Sequence, residues 1–423
     1  MSTAKTTIRW NVSEDTIKSA GSNFSEFLRQ QKSSLQSILS SSNASRPVHV
    51  TIGNEAADAD SIVSSLVHAY LKQHSDESAL YVPVVSIPRD EFVLRCDVNA
   101  LFERLHLDAT AVMFVDEFPW THALFQASPQ PLRLSLLDHN ALTPKKMSSS
   151  GEKLNVRVLE ILDHHADLGQ HLDAPVRDIA FEGTQALVGS SCTLVAENLF
   201  KNEALKQKPT IHALLSTMLL AVIAVDTINF SPSAKKVTPR DIAAAATLQT
   251  TAFASKEALF EWLHAEKFNL EHWGNFSLLN CLQCDYKEFV LSTGTKYGVS
   301  AILIPLDQFV LKAGSESEAL EKALRVYCEH NKLAFLVVMS MVMPADGVPR
   351  RQVLFYEPEA CPKQHVRHCI HHFEQGGMLQ LAPLALPVEH TCVRAFAQGN
   401  TAASRKQVVP LIQQAFEAGT TKL

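Results

Sequence analysis

The chain has 423 residues, 46% of them hydrophobic, enough for two or three domains with full-sized cores and for a protein that is globular over most of its length. Lys and Arg number 38 against 44 Asp and Glu, a formal net charge of −6, so bulk charge does not mark a nucleic-acid binder, and any polyanion must be met by a local basic patch or by metal. Eight cysteines without regular spacing, and no apolar N-terminal core ahead of a cleavage site, point to a reduced, cytoplasmic protein, while the apolar stretch 213–225, interrupted by Ser216 and Thr217, falls short of the roughly 20 residues of a membrane span and reads as a buried helix.

Residues 1–46 are Ser-rich, and Phe24, Phe27, Leu28, Leu35, Ile38 and Leu39 fall at helical spacing, which predicts a surface helix packed on the first domain. Glu14 and Asp15 argue against a transit peptide, which is poor in acids. The β-branched run 48–52 breaks into Gly53-Asn54-Glu55-Ala56-Ala57-Asp58-Ala59-Asp60-Ser61, and a helix follows with Ile62, Val63, Leu66 and Tyr70 on one face. Asp58 and Asp60, two apart on a loop, suit a hard divalent cation, which takes oxygen ligands. An N-cap on the helix would account for one of these acids but not for the pair.

Apolar runs at 82–87 and 111–115, separated by a polar helical segment, continue the alternation expected of a parallel sheet. Residues 134–137 end in Asp138-His139-Asn140, and the loop 144–153, with three consecutive serines and a glycine, is expected to be exposed and mobile. The run that starts at Val158 then breaks off into Asp163-His164-His165. In an open α/β sheet ligands bind beyond the carboxyl ends of the strands, so this tripeptide is well placed for chemistry, although a polar turn would explain it alone. Ser190 or Ser191 opens another helix, with simple capping the expected role. The buried helix that follows delivers Asp226, an acid that is costly there unless paired or bound to metal.

A change of composition with two prolines at 231–239 places a linker there and just beyond. The expected division is 1–46 an N-terminal helical, Ser-rich extension, 47–230 a metal-binding domain, 231–255 a linker region and 256–423 a second domain mixing strands and helices. The fold class expected is α/β: a parallel-sheet first domain and a smaller α+β second domain. Asp58 with Asp60, Asp138, Asp163 with His164 and His165, and Asp226 all follow apolar runs. Gathered in one crevice they could hold two divalent ions, an arrangement suited to in-line displacement at phosphorus. Cys281 and Cys284 have CxxC spacing without a second pair, inside a helical pattern, so core packing is favoured over zinc.

The series G-N-E-A-A-D-A-D-S, L-L-D-H-N, I-L-D-H-H-A-D, V-G-S-S-C-T and A-V-D-T-I-N-F, followed by S-R-K-Q-V-V-P, resembles the DHH phosphoesterase superfamily. More narrowly, it resembles the branch that holds cytosolic exopolyphosphatases of the yeast type, the prune proteins and family II inorganic pyrophosphatases. The resemblance spans about residues 48–410 and implies that the active site lies in the cleft between the two domains. It implies metal ligation by Asp58, Asp60, Asp138, His164 and Asp226, with Asn54 counted among the metal-site residues and Asp138 the bridge between two ions. It also implies that His165 faces the substrate phosphate, and that Ser404, Arg405, Lys406 and Lys287 of the second domain bind phosphate. Catalysis would rest on Asp138, His165, Arg405 and Lys406, with a metal pair and an attacking water at the terminal phosphorus, and with the lobes closing about the linker.

Family II pyrophosphatases carry histidine where this chain has Asn54. The loss of an imidazole favours Mg²⁺ over Mn²⁺ at one position. Prune proteins tend to carry Arg in place of one histidine of the D-H-H motif, whereas His164 and His165 are both present. The resemblance therefore implies an exopolyphosphatase acting on linear inorganic polyphosphate, with two divalent cations, no nucleic-acid or membrane partner, and a monomeric state. A prune-like short-chain polyphosphatase or phosphodiesterase, an inorganic pyrophosphatase, and a regulatory protein that keeps the fold without turnover are the alternatives. The intact metal motifs argue against the last. His365, His368, His371 and His372, with Arg367, fall at helical spacing; a solvated helix face is favoured over a polyphosphate-tracking patch, and both readings stay open.

Overall fold

Runs of buried apolar residues alternating with helices build the first part of the computed structural model, which describes residues 8–40, 46–126, 131–142, 153–314, 316–344, 348–358, 365–387 and 392–417. The chain divides into two units, Met1–Lys267 and Phe268–Leu423. The elements of the first unit, in chain order, are α1 (Glu14–Ser40), β1 (Val48–Ile52), α2 (Ala59–Ser75), β2 (Leu80–Val85), α3 (Cys96–Arg104), β3 (Met113–Phe114), α4 (Ala123–Gln126), β4 (Leu132–Leu137), β5 (Val156–Asp163), β6 (Val176–Ile179), the hairpin β7 (Phe181–Glu182) and β8 (Gln185–Ala186), then α5 (Ser191–Phe200), α6 (Glu203–Lys206), α7 (Pro209–Asp226), α8 (Pro239–Leu248) and α9 (Lys256–Lys267).

Six of these strands form a sheet in the order β3-β2-β1-β4-β5-β6, every pair parallel. β1 and β2 are buried along their whole length, as strands covered on both faces must be. The chain leaves β1 toward β2 and later returns to β4 on the other side of β1. The carboxyl ends of β1 and β4 therefore flank the topological switch point, where an open α/β sheet leaves a crevice. A buried polar chain ties the same strands to α2. His49 Nε2 donates to Ser135 Oγ (2.9 Å), which donates to Glu160 Oε2 (2.9 Å), while His68 Nε2 (2.8 Å) and Lys72 Nζ (3.1 Å) approach the same carboxylate. Burial alone would raise the Glu160 carboxyl; the charge and hydrogen bonds of its partners His68 and Lys72 outweigh it and hold the group well below its ordinary range.

α7 is long and apolar enough to cross a membrane by length and composition. It instead supplies the middle of the first unit's core, packed by α1, α2, α5, α8 and α9, as the apolar stretch predicts. α1 is part of that core too: Phe24 is fully buried and stacks on Tyr70 at 5.4 Å between ring centroids. The loop expected over 144–153 lies outside the described residues apart from Lys153.

The segment 231–255, read from its prolines as a linker, is built into the first unit. Pro239 occupies the first turn of α8, where its missing N–H costs nothing, and Thr238 with Asp241 forms a capping box. Asp241 is buried and also accepts from Gly189 N (3.0 and 2.9 Å) and Thr193 Oγ1 (2.6 Å). Ala244, Leu248, Phe253, Leu259 and Trp262 join the α7 core, so the division between units falls after Lys267. Helix-start chemistry was mistaken for a breaker.

The second unit contains α10 (Leu270–Asn275), α11 (Leu278–Gln283), β9 (Tyr286–Val290), β10 (Lys296–Ile302), α12 (Leu306–Leu311), α13 (Ser317–Asn331), β11 (Phe335–Val342), β12 (Arg350–Tyr356), α14 (His365–Gly376), β13 (Leu381–Pro383), β14 (Val393–Gln398) and α15 (Arg405–Glu417). Its sheet runs β13-β14-β12-β11-β10-β9, parallel only between β10 and β11. Cys281 and Cys284 are buried in and just after α11, as core packing requires. On α14, His365 Nδ1 meets Glu357 Oε1 at 2.9 Å and His368 Nε2 donates to Ala415 O at 2.6 Å, so two of the four imidazoles serve the packing of α14.

Gly21 places α1 directly on the end of α3: a Cβ there would lie 2.0 Å from Leu105 O and 2.8 Å from His106 O. Gly21→Ala should therefore destabilise the first unit by about 1–3 kcal/mol, read as a lower denaturant midpoint with unchanged slope. An unchanged midpoint would mean that α1 is not seated on that backbone.

Candidate active site

Three loops leave the carboxyl ends of β1, β4 and β5, and the site is made where they meet. After β1 the chain makes a close turn. A Cβ at Gly53 would lie 2.6 Å from Ser61 Cβ, so only glycine lets the loop close onto the start of α2. Asp58 is the N-cap of α2 and accepts from Ser61 N at 3.0 Å. After β4, Asp138 takes a left-handed backbone, φ 63°, which turns its carboxylate back over the sheet edge. After β5, Asp163 Oδ1 accepts from His164 N (2.7 Å), His165 N (3.2 Å) and His165 Nδ1 (2.8 Å), and its Oδ2 from Asn140 Nδ2 (2.6 Å).

These turns bring ligand atoms of Asp138, His164 and His165 within 4.8 Å of one another. His164 Nδ1 donates to Val188 O at 3.1 Å, which fixes the ring and leaves Nε2 as the lone-pair atom. That Nε2 lies 3.2 Å from Asp138 Oδ1 and 3.8 Å from Asp60 Oδ2. His165 Nδ1 lies 3.6 Å from Asp138 Oδ1. Asp138 Oδ2 accepts from Asn54 Nδ2 (2.6 Å) and Ser61 Oγ (2.8 Å).

Asn54, counted from the sequence among the metal residues, spends both ends of its amide on the protein: Nδ2 on Asp138, and Oδ1 as acceptor from Ala56 N (2.9 Å). It orients the Asp138 carboxylate here.

Asp60 is held by the start of α5, accepting from Ser190 Oγ (2.7 Å), Ser191 N (2.8 Å) and Cys192 N (2.8 Å). Helix N-termini favour carboxylates. Ser190 thus caps its own helix, as the sequence suggests, and also grips an acid 130 positions away, which the sequence does not suggest. Asp226, at the end of α7, interacts electrostatically with Asp58 and His164.

The electrostatics show an acid excess. Burial, then the neighbouring Asp138 and Asp226, push the Asp60 carboxyl up to about 8. Burial pushes Asp226 up to about 6 despite the opposing pull of Lys267. At Asp163 burial is overcome by the hydrogen bond and charge of His165, and the carboxyl is brought down to about 2. Asp226 Oδ2 is sealed from solvent and has no hydrogen-bond partner among the described residues. Four carboxylates around one lone-pair imidazole, with one buried oxygen still unsatisfied, fit one or more hard divalent cations.

The phosphate residues expected from the sequence lie in the second unit. Arg405 opens α15 and donates from Nη1 to Asp285 O (3.0 Å) and from Nη2 to Asp285 Oδ1 (2.6 Å). Across the start of the helix Ser404 N and Oγ both donate to Gln407 Oε1 at 2.9 Å. Lys406 is exposed. Lys287 lies on β9 opposite Val299, two positions after Asp285, so the D-Y-K and S-R-K stretches meet at the Arg405–Asp285 pair. Asp285, which holds Arg405, had no role assigned from the sequence, and Asp163, grouped there with the crevice acids, steadies the His165 ring. A carboxylate beside Arg405 becomes visible only once β9 and α15 are adjacent.

A family model described as the DHH family N-terminal domain matches residues 49–222, and one described as the DHHA2 domain matches residues 262–415. Exopolyphosphatase PRUNE1 of Bos taurus is 32% identical over 388 residues, 91% of this chain and 79% of that protein. Exopolyphosphatase PRUNE1 of Homo sapiens is 30% identical over 389 residues, with the same shares covered. A Schizosaccharomyces pombe protein carrying the name "Putative exopolyphosphatase" is 26% identical over 393 residues, 88% of this chain and 91% of that one. The motifs from Asn54 to His165 fall inside the first match and Ser404 to Lys406 inside the second; the chain belongs to the DHH phosphoesterase family, with a DHHA2 domain following its DHH domain.

Proposed function

We propose that the protein is a metal-dependent exopolyphosphatase that removes the terminal phosphate of linear inorganic polyphosphate and releases orthophosphate. The observation that carries this reading is the convergence of Asp60, Asp138, His164 and His165 at the switch point of the parallel sheet, with the acid excess described above. The names of the PRUNE1 and fission-yeast relatives support the substrate class.

Asp58, Asp60, Asp138, His164 and Asp226 would hold two divalent cations, Mg²⁺ or Mn²⁺, with Asp138 shared. When bound, such cations supply Lewis acidity and make water a usable nucleophile near neutral pH. The protein's own groups do the rest. Asn54 and Ser61 fix the Asp138 carboxylate, and the start of α5 fixes Asp60, so neither has to be ordered when cations arrive. His165, its Nδ1 donating to Asp163, would face a phosphate oxygen and donate to it from Nε2 as the imidazolium. Arg405 and Lys406 neutralise phosphate charge, the guanidinium by its two-pronged geometry and the ammonium as a point charge. Ser404 and Lys287 add donors to the same anion.

A second reading is a prune-like short-chain polyphosphatase or phosphodiesterase, favoured by the higher identity to PRUNE1 proteins than to the fission-yeast protein. Phosphate release from long-chain polyphosphate, tripolyphosphate, pyrophosphate and a cyclic nucleotide, each with Mg²⁺ and with Mn²⁺, separates the two. Turnover of long chains with Mg²⁺ is expected; activity confined to tripolyphosphate or the cyclic nucleotide would establish the second reading, and no turnover of any would end both.

Asp138→Ala should abolish turnover while leaving the circular dichroism spectrum and melting cooperativity unchanged, and a near-normal rate would remove Asp138 from the site. Arg405→Ala should lower kcat/KM by about 10²-fold, the loss typical of one donor to developing charge, with the cation half-saturation unaltered. A change in cation requirement with normal substrate kinetics would assign Arg405 a different role.

A further inference from the structure

Arg95 lies between the turn Arg89–Leu94 and α3, only 4% exposed. Its hydrogen-bond partners are main-chain carbonyls: Nε lies 3.0 Å from Ala56 O and 3.1 Å from Ala57 O, and Nη2 lies 2.7 Å from Ala56 O. Nη1 is sealed from solvent and has no hydrogen-bond partner among the described residues. A guanidinium removed from water and met by carbonyl dipoles is costly to keep. Its position indicates what it is kept for.

Ala56 and Ala57 lie between Asn54, which grips Asp138, and Asp58, which begins the acidic pair. Ala57 has φ 48° and closes a turn by donating from its N to Asn54 O at 3.1 Å. The left-handed region is costly for an L-residue, and alanine lacks the short polar side chain that lets Asn or Asp settle there. Such a conformation persists only when its surroundings over-determine it. Charge-assisted hydrogen bonds to the carbonyls of the two peptide units that flank Ala57 supply that constraint.

We propose that Arg95 is a positioning residue for cation binding: by gripping the carbonyls of Ala56 and Ala57 it holds the turn 54–57 in its left-handed form and so sets Asp58 and Asp60 where they can share a cation with Asp138. This rests on reading the acidic cluster as a cation site. Lysine cannot substitute, because a single ammonium does not span two neighbouring carbonyls as a planar guanidinium does. Glycine at position 57 relieves the same strain by another route, since it adopts positive φ without penalty.

The test uses the full chain and Mn²⁺ or Mg²⁺ alone, with binding read by calorimetry and by the cation-dependent rise in melting temperature, without substrate. If the wild-type chain binds neither ion, the function proposed above fails. With wild-type binding established, Arg95→Lys should raise the cation half-saturation by about tenfold or more, the usual effect of losing a group that orients a ligand. Ala57→Gly in the Arg95→Lys background should recover most of that loss, which a merely structural role in the core would not do. Arg95→Lys that folds and binds within about threefold of wild type, or a loss that Ala57→Gly does not recover, overturns the proposal. Should Arg95→Lys not fold, the double variant decides alone: recovered folding and affinity support the inference, and a chain still unfolded places the work of Arg95 in the core.

Discussion

Carboxylates brought together out of water repel one another, and each gives up hydration that only a donor or a cation can replace. Much of the first unit is arranged to hold such a group in place. Asp60 sits against the first amides of α5, Asp138 against Asn54 and Ser61, and Asp163 against the amides and ring of the two histidines that follow it. These donors settle where the acids are without making up for lost hydration and mutual repulsion, as the elevated Asp60 and Asp226 carboxyls show. The geometry is built by the protein, and a small hard cation would relieve the repulsion that the donors leave.

The second unit handles the opposite charge in a related way. Arg405 is steadied by Asp285 through one main-chain and one side-chain oxygen, which takes up part of a donor set of five N–H groups. The loop leading to it is pinned from one strand pair. Gln398 Nε2 donates to Asn400 O (2.7 Å) and Ala403 O (2.8 Å), while Arg351 Nε donates to Thr401 O (2.7 Å), and these two residues face each other across β12 and β14. The start of α15 is thus set by the sheet beneath it.

What could be read in advance was whatever one short stretch carries by itself. β-branched runs ending in acids located β1, β4 and β5, and with them Asp58, Asp60, Asp138 and the D-H-H turn. The uninterrupted apolar run located α7 and its terminal Asp226. Partners came out only with the fold, because they join positions far apart: Ser61 to Asp138 across 77 residues, Ser190 to Asp60 across 130 and Arg405 to Asp285 across 120. Asn54 is a case of the same kind: its place in the motif puts it at the metal site, and only the nearness of Asp138 and of Ala56 N reveals the two bonds its amide makes. Prolines at 232 and 239 carry two meanings, breaker and helix opener, and only the burial of Asp241 decides between them.

That aspartate bears on how the molecule can be dissected. Asp241 fastens the amide of Gly189 and the hydroxyl of Thr193, the segment whose helix start clasps Asp60, so the crevice leans on a residue beyond the proline-rich stretch. Lys267, the last residue of the unit, reaches Asp97 at 3.6 Å and tempers Asp226. A fragment cut at Phe230, where composition invites a boundary, would keep every acid of the cluster and lose the pegs that aim them. The contacts that hold the crevice in its native form extend through α9.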